Sequence, residues 1–133
     1  MTLGDSDALA LILRRLNPQL RPGRFVFTTV GAVPDDVDCI ATVIEDEGVT
    51  LVVAQDLADR TGLRYDYVAA MITLRVRSDL ASVGLTAAVA STLAAAGISC
   101  NVVAGYFHDH LFVPFDRGEE VVELLRAVGE AAK

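Results

Sequence analysis

The chain has no tryptophan, two methionines and only two cysteines, and just 6% of its residues are aromatic. Bulky rings therefore cannot fill its core. The 53% of residues that are hydrophobic are dominated by Ala, Val and Leu, small aliphatics that suit close packing of helices on a sheet. Cys39 and Cys100 lie in apolar stretches with no Cys or His at zinc-ligand spacing, which predicts buried free thiols and no bound metal or cofactor. Long apolar runs are lacking too. None reaches the roughly eighteen uncharged residues of a membrane span, so no membrane partner is expected. The start, Met1 to Asp7, has no basic segment, and Leu9 to Leu13 reads as the opening of an amphipathic helix, so the expected location is the cytoplasm. Positive charge is scarce. Eleven Lys and Arg face eighteen Asp and Glu for a net charge of −7, and Arg14-Arg15 is the longest basic run. Such a surface repels phosphate backbones, and nucleic acid is not an expected partner.

What is present fits one domain or a tight pair of small ones, since 133 residues can bury a proper core. Residues 5–16 carry an apolar face of Ala8, Leu9, Leu11, Ile12 and Leu16, with Asp5 or Ser6 as cap, and Asn17-Pro18 stops the helix. A turn is expected through Arg21-Pro22-Gly23, then a strand from Phe25 to Val30. Cys39 to Glu45 and Val49 to Ala54 alternate as paired strands around Asp46-Glu47-Gly48. The acids Glu45, Asp46 and Glu47 read as a solvated hairpin. Gln55 to Arg60 is a short helix, and Thr61-Gly62 with Arg64 to Asp66 forms the connector that divides a unit at 1–66 from one at 67–133.

In the second unit, Met71 to Arg77 is predicted as a strand with Ile72, Leu74 and Val76 on one face and Thr73, Arg75 and Arg77 on the other. Ser82 to Ala96 is helical, with a stripe of Leu85, Val89, Leu93 and Ala96 and with Gly97 at the C′ position. Ile98 to Tyr106 is a long strand, Phe107-His108-Asp109 a turn, and His110 to Val113 the returning strand. Asp116 and Glu119 form a capping-box pattern before a helix built on Val121, Leu124, Leu125 and Val128. The order β-α-β-β-α is a split βαβ unit lacking its fourth strand, an α+β arrangement. The open edge must be covered, and a strand from residues 25–54 is the nearest candidate, so the two halves are expected to share or pair their sheets.

Ile72-Thr73-Leu74-Arg75-Val76, followed by Asp79 to Ala88 and by Ala96-Gly97-Ile98-Ser99-Cys100-Asn101, resembles an ACT domain, the regulatory ligand-binding module of amino-acid metabolism. The match covers about residues 71–131, and aspartokinase regulatory domains look similar here. Glu47-Gly48-Val49-Thr50-Leu51-Val52-Val53 and Phe107-His108-Asp109-His110-Leu111-Phe112-Val113-Pro114 extend the resemblance to tandem-ACT proteins such as the arginine sensors. The resemblance implies two ferredoxin-like βαββαβ-type units in tandem, a homodimer or larger assembly, and an amino-acid-like ligand held between units. It places that ligand at the strand-to-helix loop (Asp79, Ser82, Gly84 and Thr86) and at the turn (Gly105, Tyr106, His108 and Asp109). Ser82 stands where the arginine sensors carry an acidic residue, a departure from guanidinium recognition.

The residues themselves admit more than one reading. Unpaired N–H groups where a loop opens a helix can hold a carboxylate, with Gly84 permitting close approach; alternatively Gly84 only lets the helix lie near the sheet. Asp109 can meet a ligand ammonium, or simply suit a turn. His108 and His110 bracket it, which raises a metal reading beside ligand lining or turn capping. Asn101 lies on the more polar strand face with Ser99, Val103 and Gly105, pointing to solvent, an interface or a ligand. No nucleophile-base-orienter set and no glycine-rich phosphate loop appear, so the expectation is a non-catalytic binding protein. The alternatives are an assembly module that pairs with a partner protein, and a metal-dependent enzyme using the His108-Asp109-His110 turn.

Overall fold

The computed structural model describes residues 5–76 and 83–132, with side chains from residue 8 onward. In chain order the elements are α1 (Asp5–Arg14), β1 (Pro18–Leu20), β2 (Phe25–Val30), β3 (Ala41–Ile44), β4 (Val49–Ala54), α2 (Gln55–Thr61), β5 (Val68–Leu74), α3 (Leu85–Ala95), β6 (Asn101–Ala104), β7 (Asp109–Pro114) and α4 (Gly118–Ala131). The strands form one seven-stranded antiparallel sheet ordered β3-β4-β2-β5-β7-β6, with β1 also beside β5. The two halves thus share a sheet, as the open edge of the second unit required.

The strand that fills that edge differs from the expectation. Residues 25–54 supply only Phe25 and Val26, which pair with Ala69 and Val68. The fourth-strand position is taken by β1, between the expected helix stop at Asn17-Pro18 and the expected turn at Arg21-Pro22-Gly23, where no strand was anticipated: Pro18, Gln19 and Leu20 pair with Leu74, Thr73 and Ile72. Three residues led by a proline carry no local strand signal, and the conformation is imposed by tertiary pairing. Asn17, at φ 45°, reverses the chain out of α1, and the buried Leu16 anchors the reversal. Pro18 has no N–H to offer along the outer edge, which blunts it against strand addition.

Alternation sorts the sheet into two faces. Even-numbered residues of β5 and odd-numbered residues of β7 meet α1, α3 and α4 in a core of Leu16, Ile72, Leu74, Val89, Leu93, Leu111, Val113, Val121 and Leu125. Under α2 the same face continues as Val26, Leu51, Val53 and Ala58. The opposite face packs Phe25, Met71 and Phe112 with Phe27, and Phe27 meets Phe112 edge to face at 5.3 Å. Helices α1 and α4 cross closely because Gly129 has no side chain: a Cβ there would lie 2.9 Å from the Leu13 carbonyl oxygen.

Several boundaries move. β5 runs Val68–Leu74, starting before the expected Met71 because its pairing with β7 begins at Ala69, and the expected end at Arg77 lies outside the described residues. β6 is four residues long, not the span from Ile98 to Tyr106, because its ladder to β7 covers only Asn101 to Ala104. α3 begins at Leu85, after Gly84 in the left-handed conformation at φ 101°. The capping box at Asp116 and Glu119 does not form. A 3-10 turn, Phe115–Arg117, precedes α4, and Arg117 instead holds Glu120 at 2.8 Å. Both cysteines are free but half-buried rather than fully buried.

Candidate functional site

Thr73 of β5 stands directly opposite His110 of β7, so the chain leaves β5 toward α3 at the same end of the sheet as the β6–β7 turn. Of the residues predicted to line a site, Asp79 and Ser82 lie outside the described residues. Gly84 immediately precedes α3, where a Cβ would come within 3.0 Å of Leu9 Cδ2, so its glycine serves close packing on α1 as well as loop geometry. Thr86 is exposed on the first turn of α3. That helix start has no side-chain cap and no acidic residue in its first turn. Among the described residues its leading N–H groups have no side-chain partner, an arrangement that suits an anion.

At the turn, the Gly105 amide donates to the His108 carbonyl at 2.9 Å and closes the hairpin. A Cβ on Gly105 would lie 2.9 Å from that same oxygen, which explains glycine here. Tyr106 is 78% exposed and packs edge to face with Phe107 at 5.0 Å. Asp109 is not in the turn. It is the first residue of β7, paired with Ala104, because the ladder begins one residue earlier than turn chemistry suggested. Pairing places Asp109 on the face that carries α3, half-buried, and among the described residues its carboxylate has no hydrogen bond or ion pair. His110, its neighbour, faces the opposite side with Asn101, which is exposed on β6. The triplet His108-Asp109-His110 thus splits across the sheet instead of converging.

The histidine has a partner that periodicity did not single out. Thr73, fully buried, hydrogen-bonds through Oγ1 to His110 Nδ1 at 3.0 Å. A buried hydroxyl left unpaired would be costly, so the pair fixes the ring. Burial pushes the His110 pKa below its ordinary 6.5, helped by His108, Arg21 and Arg75 and opposed by Asp109. The unfolded chain then binds a proton at a higher pH than the folded one. Stability is complete above the ordinary histidine value and is lost as pH falls from there through the lower folded value. The melting temperature is expected to drop across that acid window more steeply in the wild type than in His110→Gln, which keeps a partner for Thr73. Parallel curves for the two proteins would show that His110 is not the group responsible.

The ACT-domain family matches the chain twice in tandem, over residues 6–70 and 67–127. The chain belongs to the ACT-domain family. ACT domains are regulatory modules that bind small molecules. A protein of unknown function from Vibrio cholerae, described as a possible transport protein, shares 40% identity over 95% of this chain and 99% of its own, with a TM-score of 0.85. The ligand-free regulatory subunit of aspartate kinase from Thermus thermophilus superposes with a TM-score of 0.59 at 11% identity, covering 84% of this chain and 95% of that one. Aspartokinase III from E. coli, solved with aspartate and ADP, gives a TM-score of 0.61 at 15% identity over 84% of this chain and 32% of its own. At these identities the aspartokinase likenesses speak for the fold alone. A comparison with curated proteins finds no match. In ACT terms, the second unit is β5-α3-β6-β7-α4 closed by β1, so α1 and β1 of the first half complete it.

Proposed function

We propose that this ACT protein is a non-catalytic cytoplasmic regulator that binds an amino acid or a similar small molecule where ACT units meet. The units are its own two, 1–66 and 67–133, or those of neighbouring copies in a homodimer or larger assembly. One observation supports this most: the start of α3 and the half-buried Asp109, neither with a side-chain partner among the described residues, occupy the same end and the same face of the sheet. A ligand carboxylate suits the helix N–H groups, and its ammonium suits Asp109. Gly84, Thr86, Gly105, Tyr106 and His108 lie toward that position, with Asp79 and Ser82 in the intervening segment, whereas Asn101 is on the opposite face and outside it.

The test is a thermal-shift screen of the full chain against the proteinogenic amino acids. A ligand bound only by the folded form stabilises by about 2.7 kcal/mol at a hundred times its Kd, so one or a few should raise the melting temperature by several degrees. An unmoved melting temperature across the set would count against the proposal. It would favour the second reading, an assembly module, which draws support from the outer strand β3, where Val43 is 49% and Ile44 77% exposed.

A further inference from the structure

Among the described residues, three strands of the sheet, β1, β3 and β6, are paired along one side only. Proline blunts β1, and none of the chain's exposed large apolar side chains belongs to β6. β3 has neither protection. Its residues, Ala41–Ile44, include no proline and no charge, and the side chains of Val43 and Ile44 are exposed.

The hairpin fixes which backbone groups are free. Glu45 and Gly48 exchange both backbone hydrogen bonds, at 3.0 and 3.3 Å, around the Asp46-Glu47 turn. Antiparallel ladders alternate, so Val43 opposite Thr50 and Ala41 opposite Val52 also turn their N–H and C=O toward β4. Those of Thr42 and Ile44 point outward. Among the described residues none of them has a backbone partner. At the other end the Ile40 amide donates to the Val52 carbonyl at 2.7 Å, so Ile40 and Ala41 both oppose Val52 and a bulge bounds the open stretch.

Charge sits at both ends of that stretch. From Gly31 to Thr50 the chain carries Asp35, Asp36 and Asp38 before β3 and Glu45, Asp46 and Glu47 after it, with no Lys, Arg or His. All six acids are exposed, and among the described residues none forms an ion pair. A second copy of the chain fits this edge poorly. Antiparallel pairing of two β3 strands about a two-fold axis brings the acids that follow one strand beside those that precede the other, acid against acid at both ends.

We propose that β3 is a docking edge for an extended segment of a partner protein, apolar at its centre and basic at both ends. The segment adds a strand to the sheet through the free backbone groups of Thr42 and Ile44. Its apolar side chains lie beside Val43 on one face and Ile44 on the other, and its Lys or Arg residues meet the acids on either side of β3. The open stretch is about 14 Å long, so the basic groups flank a centre of about five residues. Main-chain bonds supply the affinity, and the charges choose the partner. β3 and the pair β7-β6 lie at opposite edges of the sheet, so this docking and ligand binding near Asp109 stand or fall separately.

The experiment titrates the full-length isotope-labelled protein with a capped peptide of about nine residues, alternating Val and Thr with two Lys at each end, and follows backbone amides by NMR. The Thr42 and Ile44 amides are expected to shift and to exchange with solvent about tenfold more slowly once the peptide is bound, while Val102 and Ala104 of β6 stay in place. A peptide with Glu for Lys should bind about tenfold more weakly or less, and added salt should weaken the Lys peptide. Two variants act on the edge itself. Thr42→Pro removes an outward N–H that the ladder to β4 does not use, and Ile44→Lys sets a like charge on an exposed side chain where the peptide lies. Each should lower affinity about tenfold, and Ile44→Lys alone decides the matter if Thr42→Pro unfolds the hairpin. Equal binding of the Glu peptide, indifference to Ile44→Lys, shifts confined to β6, or no response at about 1 mM peptide would overturn the proposal. So would Thr42 and Ile44 amides already protected in the free protein, together with a dimer that Ile44→Lys dissolves, which would assign the edge to a second copy.

Discussion

Leu16→Ala is expected to cost about 2–5 kcal/mol of stability, although it lies just beyond a short helix in a part of the chain with little strand signal. Leu16 is 1% exposed and belongs to the core shared by α1, α3, α4 and the sheet. Truncation leaves a cavity in that core that the surrounding elements cannot easily collapse, since Gly129 already brings α1 and α4 into contact. The same residue anchors β1: the Leu16 and Asn17 carbonyls accept from the amides of Val76 and Arg75, each at 3.3 Å. Urea unfolding should show a lower midpoint with an unchanged slope. The stronger form of the experiment removes the segment. A fragment spanning 68–133 keeps β5, α3, β6, β7 and α4 but exposes the β5 edge and the helix core beneath α1, and it should not fold cooperatively as a monomer. A cooperative, monomeric fragment would show that β1 is dispensable.

Why β1 was invisible, while its neighbours were plain, follows from what each element depends on. β2, β4 and the stripes of α3 and α4 declare themselves because their apolar residues repeat at the period of the element. Val89 and Leu93, or Val121 and Leu125, would be buried by any partner. β1 has three residues, one a proline, and only Leu20 offers an apolar side chain of the usual strand type. Its conformation comes from β5 and from the reversal at Asn17, neither of which is local information. The same applies at the ends of elements. Ile98 to Cys100 have strand-like composition but no partner in the ladder, which stops at Asn101 opposite Phe112. The Asp116-Glu119 spacing looked like a cap until Arg117 took Glu120 instead.

The candidate site was legible where chemistry sits on a backbone feature and obscure where it depends on which face a side chain takes. Gly84 and Gly105 stand out because turns favour glycine, and both prove sterically constrained. The orientation of the His108-Asp109-His110 segment was not readable, because one residue of register decides which side chains share a face. With β7 starting at Asp109, the aspartate faces α3's side and His110 faces Thr73. Thr73 could have been suspected as a polar residue in an otherwise apolar run, Ala69 to Leu74, on a strand expected to be buried.

Asp109→Asn is expected to lower affinity for the amino-acid ligand by roughly ten- to a hundredfold while leaving the fold as stable as before. Asparagine has the same shape and keeps one acceptor oxygen, so the start of β7 and its pairing with Ala104 are preserved. Among the described residues the carboxylate holds no ion pair or hydrogen bond, so removing its charge breaks no contact within them. What is lost is the negative charge presented to a ligand ammonium beside the uncapped start of α3. A charge-assisted hydrogen bond in a partly shielded position is worth about 1.5–3 kcal/mol, which converts to the stated loss of affinity. Calorimetric titration of wild type and variant with the amino acid that gives the largest thermal shift reads the affinity, and urea unfolding of both reads the stability. A drop in affinity at constant stability places Asp109 against the ligand. Unchanged affinity removes it from the site, and equal losses in both quantities would mean that the carboxylate supports the fold rather than the ligand.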